Sequence, residues 1–315
     1  MQMQLDLGLP NISIELAQAK LNLVFAQYHK ICVSISGGAD SDIVLDMVTK
    51  AEGSAFKDLH FTFFNTGIEW QASKRHLEYL ENKYHVEIKV IKTDYPVTRS
   101  VAHFGEPFIN KHVSEMCSRL QRHKFKWEDK PYEELILEYP NCISALKWWC
   151  NYHTGAKMYN IKNNKLLKEF MVLNPPKFDI SNKCCKYAKK DVANNYAKEN
   201  DIELYLVGVR RSEGGVRMRY KTCHYTFDNQ HDMHYPILKF TNQDKKEYEE
   251  EFQIKHSDCY TKYGLARTGC VGCPYGDWEL ELDLAYRHEP KMYKAISYLF
   301  RNTYKYTLKY YQFKE

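Results

Sequence analysis

Apolar residues from 13 to 29 (Ile14, Leu16, Leu21, Val24, Phe25) fall at helical spacing, the pattern of an amphipathic helix. A β-branched run, Ile31-Cys32-Val33-Ser34-Ile35, then predicts a buried strand, and 42–52 returns to helical spacing with Ile43, Val44, Met47 and Val48. The alternation continues with a strand over 59–64, a helix over 70–84, and a strand over 86–91 in which Val86, Ile88 and Val90 alternate with polar neighbours. Strands and helices taking turns in this way predict a parallel sheet with crossover helices. From 98 to 178 the pattern stops: several helical patterns, aromatic and basic residues, and Pro175-Pro176 near the end predict a mostly helical insertion with Trp148-Trp149 in its core. It resumes with a helix over 184–200, a strand over 202–209, a short strand over 235–238, and a helix capped by Thr241 or Asp244. Residues 278–315 read as tyrosine-rich helices. The expected organisation is an α/β domain from 1–97 and 179–277, the insertion at 98–178, and a helical C-terminal extension at 278–315.

Composition narrows the class. Across 315 residues, 44% hydrophobic and 27% charged content excludes wholesale disorder. A net charge of +5 excludes a general nucleic-acid coat and leaves room for a local basic face. No apolar run approaches the roughly 18 residues of a membrane helix, and Met1-Gln2-Met3-Gln4-Leu5-Asp6 lacks the start of a secretory signal. The expectation is a cytoplasmic protein with no membrane partner. Ten cysteines in a reducing compartment do not suggest a disulfide framework. Two are adjacent, Cys184-Cys185, and two form Cys270-Val271-Gly272-Cys273, which raises a metal or cluster site.

The strand at 31–35 runs into Ser36-Gly37-Gly38-Ala39-Asp40-Ser41 and then a helix. Glycines let the backbone approach a ligand closely, and the free N–H groups and positive end of the helix favour phosphate. Ser36 and Ser41 add hydroxyl donors. Asp40 would repel a bare phosphate and makes sense as a holder of Mg²⁺. The Walker Gly-Lys-[Ser/Thr] is missing. The plain alternative is an ordinary glycine turn.

This loop resembles that of the PP-loop ATP pyrophosphatases, which cleave ATP between its α and β phosphates. Other segments are similar to the phosphoadenosine phosphosulfate (PAPS) reductase-like family. Phe64-Asn65-Thr66-Gly67-Ile68-Glu69-Trp70 resembles its Asp-Thr-Gly-x-x-Phe segment, with Asn65 where Asp is commoner. Val207-Gly208-Val209-Arg210-Arg211-Ser212-Glu213 resembles its Gly-x-Arg-x-x-Glu region, with Arg217 and Arg219 downstream. Tyr235-Pro236-Ile237-Leu238 and Thr241-Asn242-Gln243-Asp244 are similar to its Pro-Leu…Trp-Thr-x-x-Asp-Val-Trp segment, Phe240 replacing the first Trp. The resemblance covers roughly 28–95 and 180–277. It implies an adenine nucleotide alpha hydrolase-like parallel sheet with helices on both faces. It also implies nucleotide contacts from Ser36, Gly37, Gly38, Ala39, Asp40, Ser41, Asn65, Thr66, Gly67, Gly208 and Arg217, with Asp40, Arg210 and Arg211 in catalytic roles. Guanidinium groups near a strand end suit phosphate or sulfate.

Cys184, Cys185, Cys270 and Cys273 are similar to the set that holds a [4Fe–4S] cluster in adenylylsulfate reductases; zinc is the alternative, with Cys223 or Cys259 as substitutes for one of the pair. Gly269 and Gly272 would let amides reach cluster sulfurs, and the segment from Cys259 to Cys270, with Tyr260, Arg267 and Thr268, is expected to pack two more polar groups beside this knuckle. Two departures matter. The reductases carry a C-terminal Glu-Cys-Gly-x-His nucleophile, whereas the last cysteine here is Cys273, and their phosphate loop is altered, whereas this one is intact. Both favour an ATP-using relative, near the DNA phosphorothioation sulfurtransferases and cluster-dependent tRNA thiolation enzymes, with ATP, Mg²⁺, a sulfur donor and a nucleic-acid substrate as partners. A reductase using an external thiol is the runner-up. A nucleic-acid-binding accessory protein with an inactive loop is the third reading. The basic and aromatic residues of 286–315 suit either nucleic-acid contact or packing of a C-terminal helix.

Overall fold

The computed structural model describes residues 12–154, 159–228 and 230–315; the N-terminal segment read above for a secretory signal lies outside the described residues. The chain divides into two compact units. The first contains residues up to 65, 69–92 and 191–269; the second contains 66–68, 93–190 and 270–315.

The first unit is built on six strands: β1 (Lys30–Ser34), β2 (Asp58–Asn65), β3 (Ile88–Lys92), β4 (Leu204–Val207), β5 (His224–Tyr225) and β6 (Asp232–His234). Their order is β3-β2-β1-β4-β6-β5, all neighbours parallel except the β5–β6 edge pair. Side chains alternate across the sheet. Ile31, Val33 and Ile35 face a core shared with three helices, α1 (Ile12–Gln27), α2 (Ala39–Thr49) and α3 (Gln71–Tyr84). Cys32 and Tyr205 face Tyr196 and Ala197 of the helix Asp191–Glu199 on the other side. Helices therefore cover both faces, as the α/β reading expects.

One expected strand moves. Residues 235–238 form a turn, closed by the Leu238 amide donating to the Tyr235 carbonyl at 3.2 Å. Pro236 has no N–H for a ladder, so the pairing falls on Asp232–His234 instead. Thr241 then caps the helix Asn242–Glu251 reciprocally with Asp244.

The second unit is helical, and its core does not respect the expected boundaries at 178 and 278. Tyr310 of the last helix, Arg301–Lys314, is buried in one cluster with Trp148, Trp149 and Phe170 of the expected insertion. Tyr306 and Tyr310 donate their hydroxyls to the carbonyls of Asn174 and Lys165 at 2.7 and 2.6 Å. The buried Glu106 accepts from the Thr303 amide at 2.8 Å, capping that helix from a distant segment. Insertion and extension thus share one core, in which Tyr306 and Tyr310 pack against the aromatic rings of the insertion. No described helix is long and apolar enough to cross a membrane.

Candidate functional site

In the first unit, β1 and β4 are neighbours whose following connections leave in opposite directions, the switch point where open α/β sheets leave a crevice. The loop after β1 and Gly208 after β4 line an open polar cleft there, with Arg210, Glu213, Arg217, Lys245, Tyr260, Ala266, Arg267 and Thr268. The loop is held by its serines. Ser41 Oγ accepts from the Ser36 amide at 3.2 Å and donates to the Gly38 carbonyl at 2.7 Å, while Ser36 Oγ accepts from the Gly38 amide at 3.3 Å. Gly37 has a φ of +68°, a conformation that disfavours any side chain. Gly208 is fixed by close approach: a Cβ there would lie 2.6 Å from the carbonyl group of Asp40.

The charges of the cleft are organised around Asp40. The Arg210 Nε donates to both of its oxygens at 2.9 and 3.0 Å, and Lys245 Nζ is 3.3 Å away. Arg210 is only 6% exposed, and its Nη1 donates to Ser212 Oγ and Asn242 Oδ1. Its guanidinium is thus committed to positioning a carboxylate and to joining 208–213 to the helix Asn242–Glu251. Arg211 is exposed and does not line the cleft. The cations that do line it beside Arg210 are Arg217, Lys245 and Arg267, against the carboxylates Asp40 and Glu213. Glu213 pairs with Arg217 at 2.6 Å; burial, then the nearby Asp40 charge, push its carboxyl above the usual range.

Sequence reasoning passed over Lys245 and misplaced the 257–269 arm. Thr241 fixes the helix start, so Lys245, one turn on, faces the cleft; the capping pattern carried that signal. The arm packs on the phosphate loop: Tyr260 Oη accepts from the Ala39 amide at 3.0 Å, and Thr268 Oγ1 would be 2.9 Å from a Cβ on Gly38. Asn65 ends β2, whereas Thr66 and Gly67 belong to the second unit, where Thr66 Oγ1 lies 3.4 Å from Cys270 Sγ.

In the second unit Cys184, Cys185, Cys270 and Cys273 line one small pocket with Val97, Pro107, Ala188, Lys189 and Phe300. Cys184 and Cys185 end the short helix Lys183–Cys185, before a π turn at Lys186–Lys190. Cys270 and Cys273 are joined by a turn at 3.2 Å. Gly272, at φ +64°, leaves no room for a Cβ against Tyr304 Oη at 2.6 Å. Its amide donates to Glu281 Oε2 at 2.7 Å, so the expected role of that amide toward a cluster sulfur gives way to a carboxylate. The Cys184 hydrogen bond, then Lys111 and Lys189, draw the Cys185 thiol below the usual thiol range, and burial pushes Cys273 up to about 12. Four thiols behind apolar walls have the donor chemistry of a cluster or a zinc site. Among the described residues, however, no three His, Cys, Asp or Glu side chains are arranged to hold a single metal ion. The pocket gathers donors without a preset single-ion sphere. Cys223 and Cys259 belong to the first unit and do not line it.

A family model of the phosphoadenosine phosphosulfate reductase domain matches residues 30–130 and 151–275, most of the chain. The chain belongs to the phosphoadenosine phosphosulfate reductase domain family. It is accordingly a PP-loop, sulfur-related enzyme in the coarse sense that this family shares. No curated protein matches it. Among solved structures, phosphoadenylyl-sulfate (PAPS) reductase from Candida auris is 12% identical, covering 81% of this chain and 87% of that one, with a TM-score of 0.44. The U34-tRNA thiolase NcsA from Methanococcus maripaludis, solved with its [4Fe–4S] cluster, is 10% identical over 94% and 78%, with a TM-score of 0.41. NH3-dependent NAD synthetase from Campylobacter jejuni is 13% identical over 94% of each chain, with a TM-score of 0.37.

Proposed function

We propose that this family member binds ATP in the cleft over residues 36–41 and cleaves it at the α-phosphate, adenylating a substrate for sulfur transfer. The observation that carries the reading is an intact phosphate loop facing Arg217, Lys245 and Arg267. A substrate oxygen attacks the α-phosphorus, the bond to the α–β bridging oxygen breaks, and pyrophosphate leaves with that oxygen. The loop amides and the Ser36 and Ser41 hydroxyls bind the phosphates, and the three cations offset the charge that grows on the departing pyrophosphate. Arg210 holds Asp40 in place, and Asp40 is the carboxylate that would hold Mg²⁺, which supplies further neutralisation when bound. Cys184, Cys185, Cys270 and Cys273 would hold a [4Fe–4S] cluster, with zinc as the alternative; a cluster offers iron to which a transferable sulfur can bind. The intact phosphate loop supports an ATP-using relative of the kind seen in DNA phosphorothioation sulfurtransferases and cluster-dependent tRNA thiolation enzymes.

Pyrophosphate–ATP exchange with purified protein tests the first half. Exchange, or release of AMP and pyrophosphate with an acceptor, is the expected outcome. Absence of ATP binding overturns it and leaves the accessory-protein reading. The family match also favours a second reading, a sulfonucleotide reductase with an external thiol, which sulfite release from PAPS or adenylylsulfate selects.

A further inference from the structure

The last two helices of the second unit, Pro290–Leu299 and Arg301–Lys314, carry six lysine and arginine residues and no acidic one. Their apolar sides are already used: Ile296, Phe300, Tyr304 and Tyr310 are buried. The exposed positions carry most of the cations, beside Tyr298 and, near the end of the last helix, Leu308, Tyr311 and Phe313. Lys291, Lys294 and Tyr298 follow one another at three- and four-residue steps, and Arg301, Lys305 and Lys309 do the same at four-residue steps; all six are exposed. Such spacing puts each set on one side of its helix. Tyr298 is 70% exposed, with the Arg301 guanidinium 4.2 Å from its ring centre, so a flat aromatic face and a cation are presented together. Among the described residues, none of the five cations has a carboxylate within ion-pair distance.

We infer that this ridge is a binding surface for single-stranded nucleic acid. Unpaired cations in a row match a phosphate backbone, and an exposed ring between them offers a stacking platform for a base. An anionic membrane fits less well. A helix lying in a bilayer needs a broad free apolar face to insert; here most of that face lies in the core, and only Leu308, Tyr311 and Phe313 of the last helix remain partly exposed. An acidic polypeptide would use the cations and leave Tyr298 without a role. The surface belongs wholly to the second unit and does not depend on nucleotide binding at residues 36–41.

The test is fluorescence anisotropy of the full-length protein with labelled oligothymidylate and oligouridylate across a salt series. Five phosphate contacts predict a slope of log K against log salt of about −3.5, using ~0.7 per contact for single strands. K294Q/K305Q should reduce the magnitude of the slope to about 2. Y298A should weaken binding roughly tenfold and leave the slope unchanged, since stacking releases no counterion. These side chains are exposed, so unchanged circular dichroism of both variants accompanies the expected result. Absence of binding at low salt overturns the inference. So does an unaltered slope in K294Q/K305Q, wild-type affinity in Y298A, or equal binding of polyglutamate or phosphatidylserine vesicles.

Discussion

Arg210 and Lys245 hold the same carboxylate by different means. Arg210 is buried and tied to Ser212 and Asn242 as well as Asp40, so it has no freedom to follow a substrate. Lys245 touches Asp40 at 3.3 Å and Glu249 at 3.5 Å on a flexible stem, and lines the open cleft. On the proposed ATP reading, a triphosphate entering the cleft would compete for that ammonium and leave Asp40 to a metal. Lys245→Met should therefore weaken ATP about tenfold and AMP by less than about twofold, the scale of one charge-assisted contact; calorimetric titration with both nucleotides measures the difference, and equal losses would contradict it. Gly208→Ala should act through shape. A methyl group 2.6 Å from Asp40 backbone atoms forces the start of α2 away, at a cost of about 1–3 kcal/mol in stability and with loss of ATP affinity. Denaturant unfolding and the same titration read both effects.

At the scale of elements, a buried polar link joins α2, α3 and the segment after the helix Asn242–Glu251. Asp42, fully buried, meets His76 Nε2 and His256 Nδ1, each at 2.9 Å, and His256 Nε2 meets Glu249 at 2.8 Å. Burial alone would lower the His256 pKa, but the hydrogen bonds to Asp42 and Glu249 outweigh it and raise the pKa to about 9. The folded state thus binds the proton more tightly than the unfolded chain. Its contribution is complete below about pH 6.5 and disappears as pH rises through about 9. Thermal melts from pH 6 to 10 should fall more steeply for the wild type than for His256→Gln, the difference amounting to a few kcal/mol; parallel curves would refute the link. Elements of this kind were partly legible. Apolar periodicity located α1, α2, α3 and the first two strands, and the Thr241 cap was readable because its hydrogen bonds are local. Asp42, His76 and His256 were not, since their meeting depends on packing between segments far apart in sequence. The strand expected at 235–238 failed because Pro236 has no N–H to give a ladder and the segment closes into a turn instead.

At the scale of the whole molecule, the phosphate loop and the cysteine pairs stood out as motifs, but the unit boundaries did not. Nothing local marks Tyr306 and Tyr310 as core residues of a unit that begins two hundred positions earlier, because a tyrosine-rich basic helix has the same pattern whether its rings are covered or bare. Tyr310→Ala should cost about 3 kcal/mol and expose the Trp148 and Trp149 environment, seen as a red shift of tryptophan fluorescence on milder denaturation. Anaerobically purified protein should carry iron and absorb broadly near ~400 nm, and Cys270→Ser should lose both; zinc without that band would select the other metal. Each unit is assembled from separated stretches, and the second needs 270–315. During synthesis, then, Cys184 and Cys185 emerge from the ribosome well before Cys270 and Cys273 exist. For that interval the two thiols lack the pocket walls that Cys270, Cys273 and Phe300 later supply, and they stand open to solvent and to oxidation.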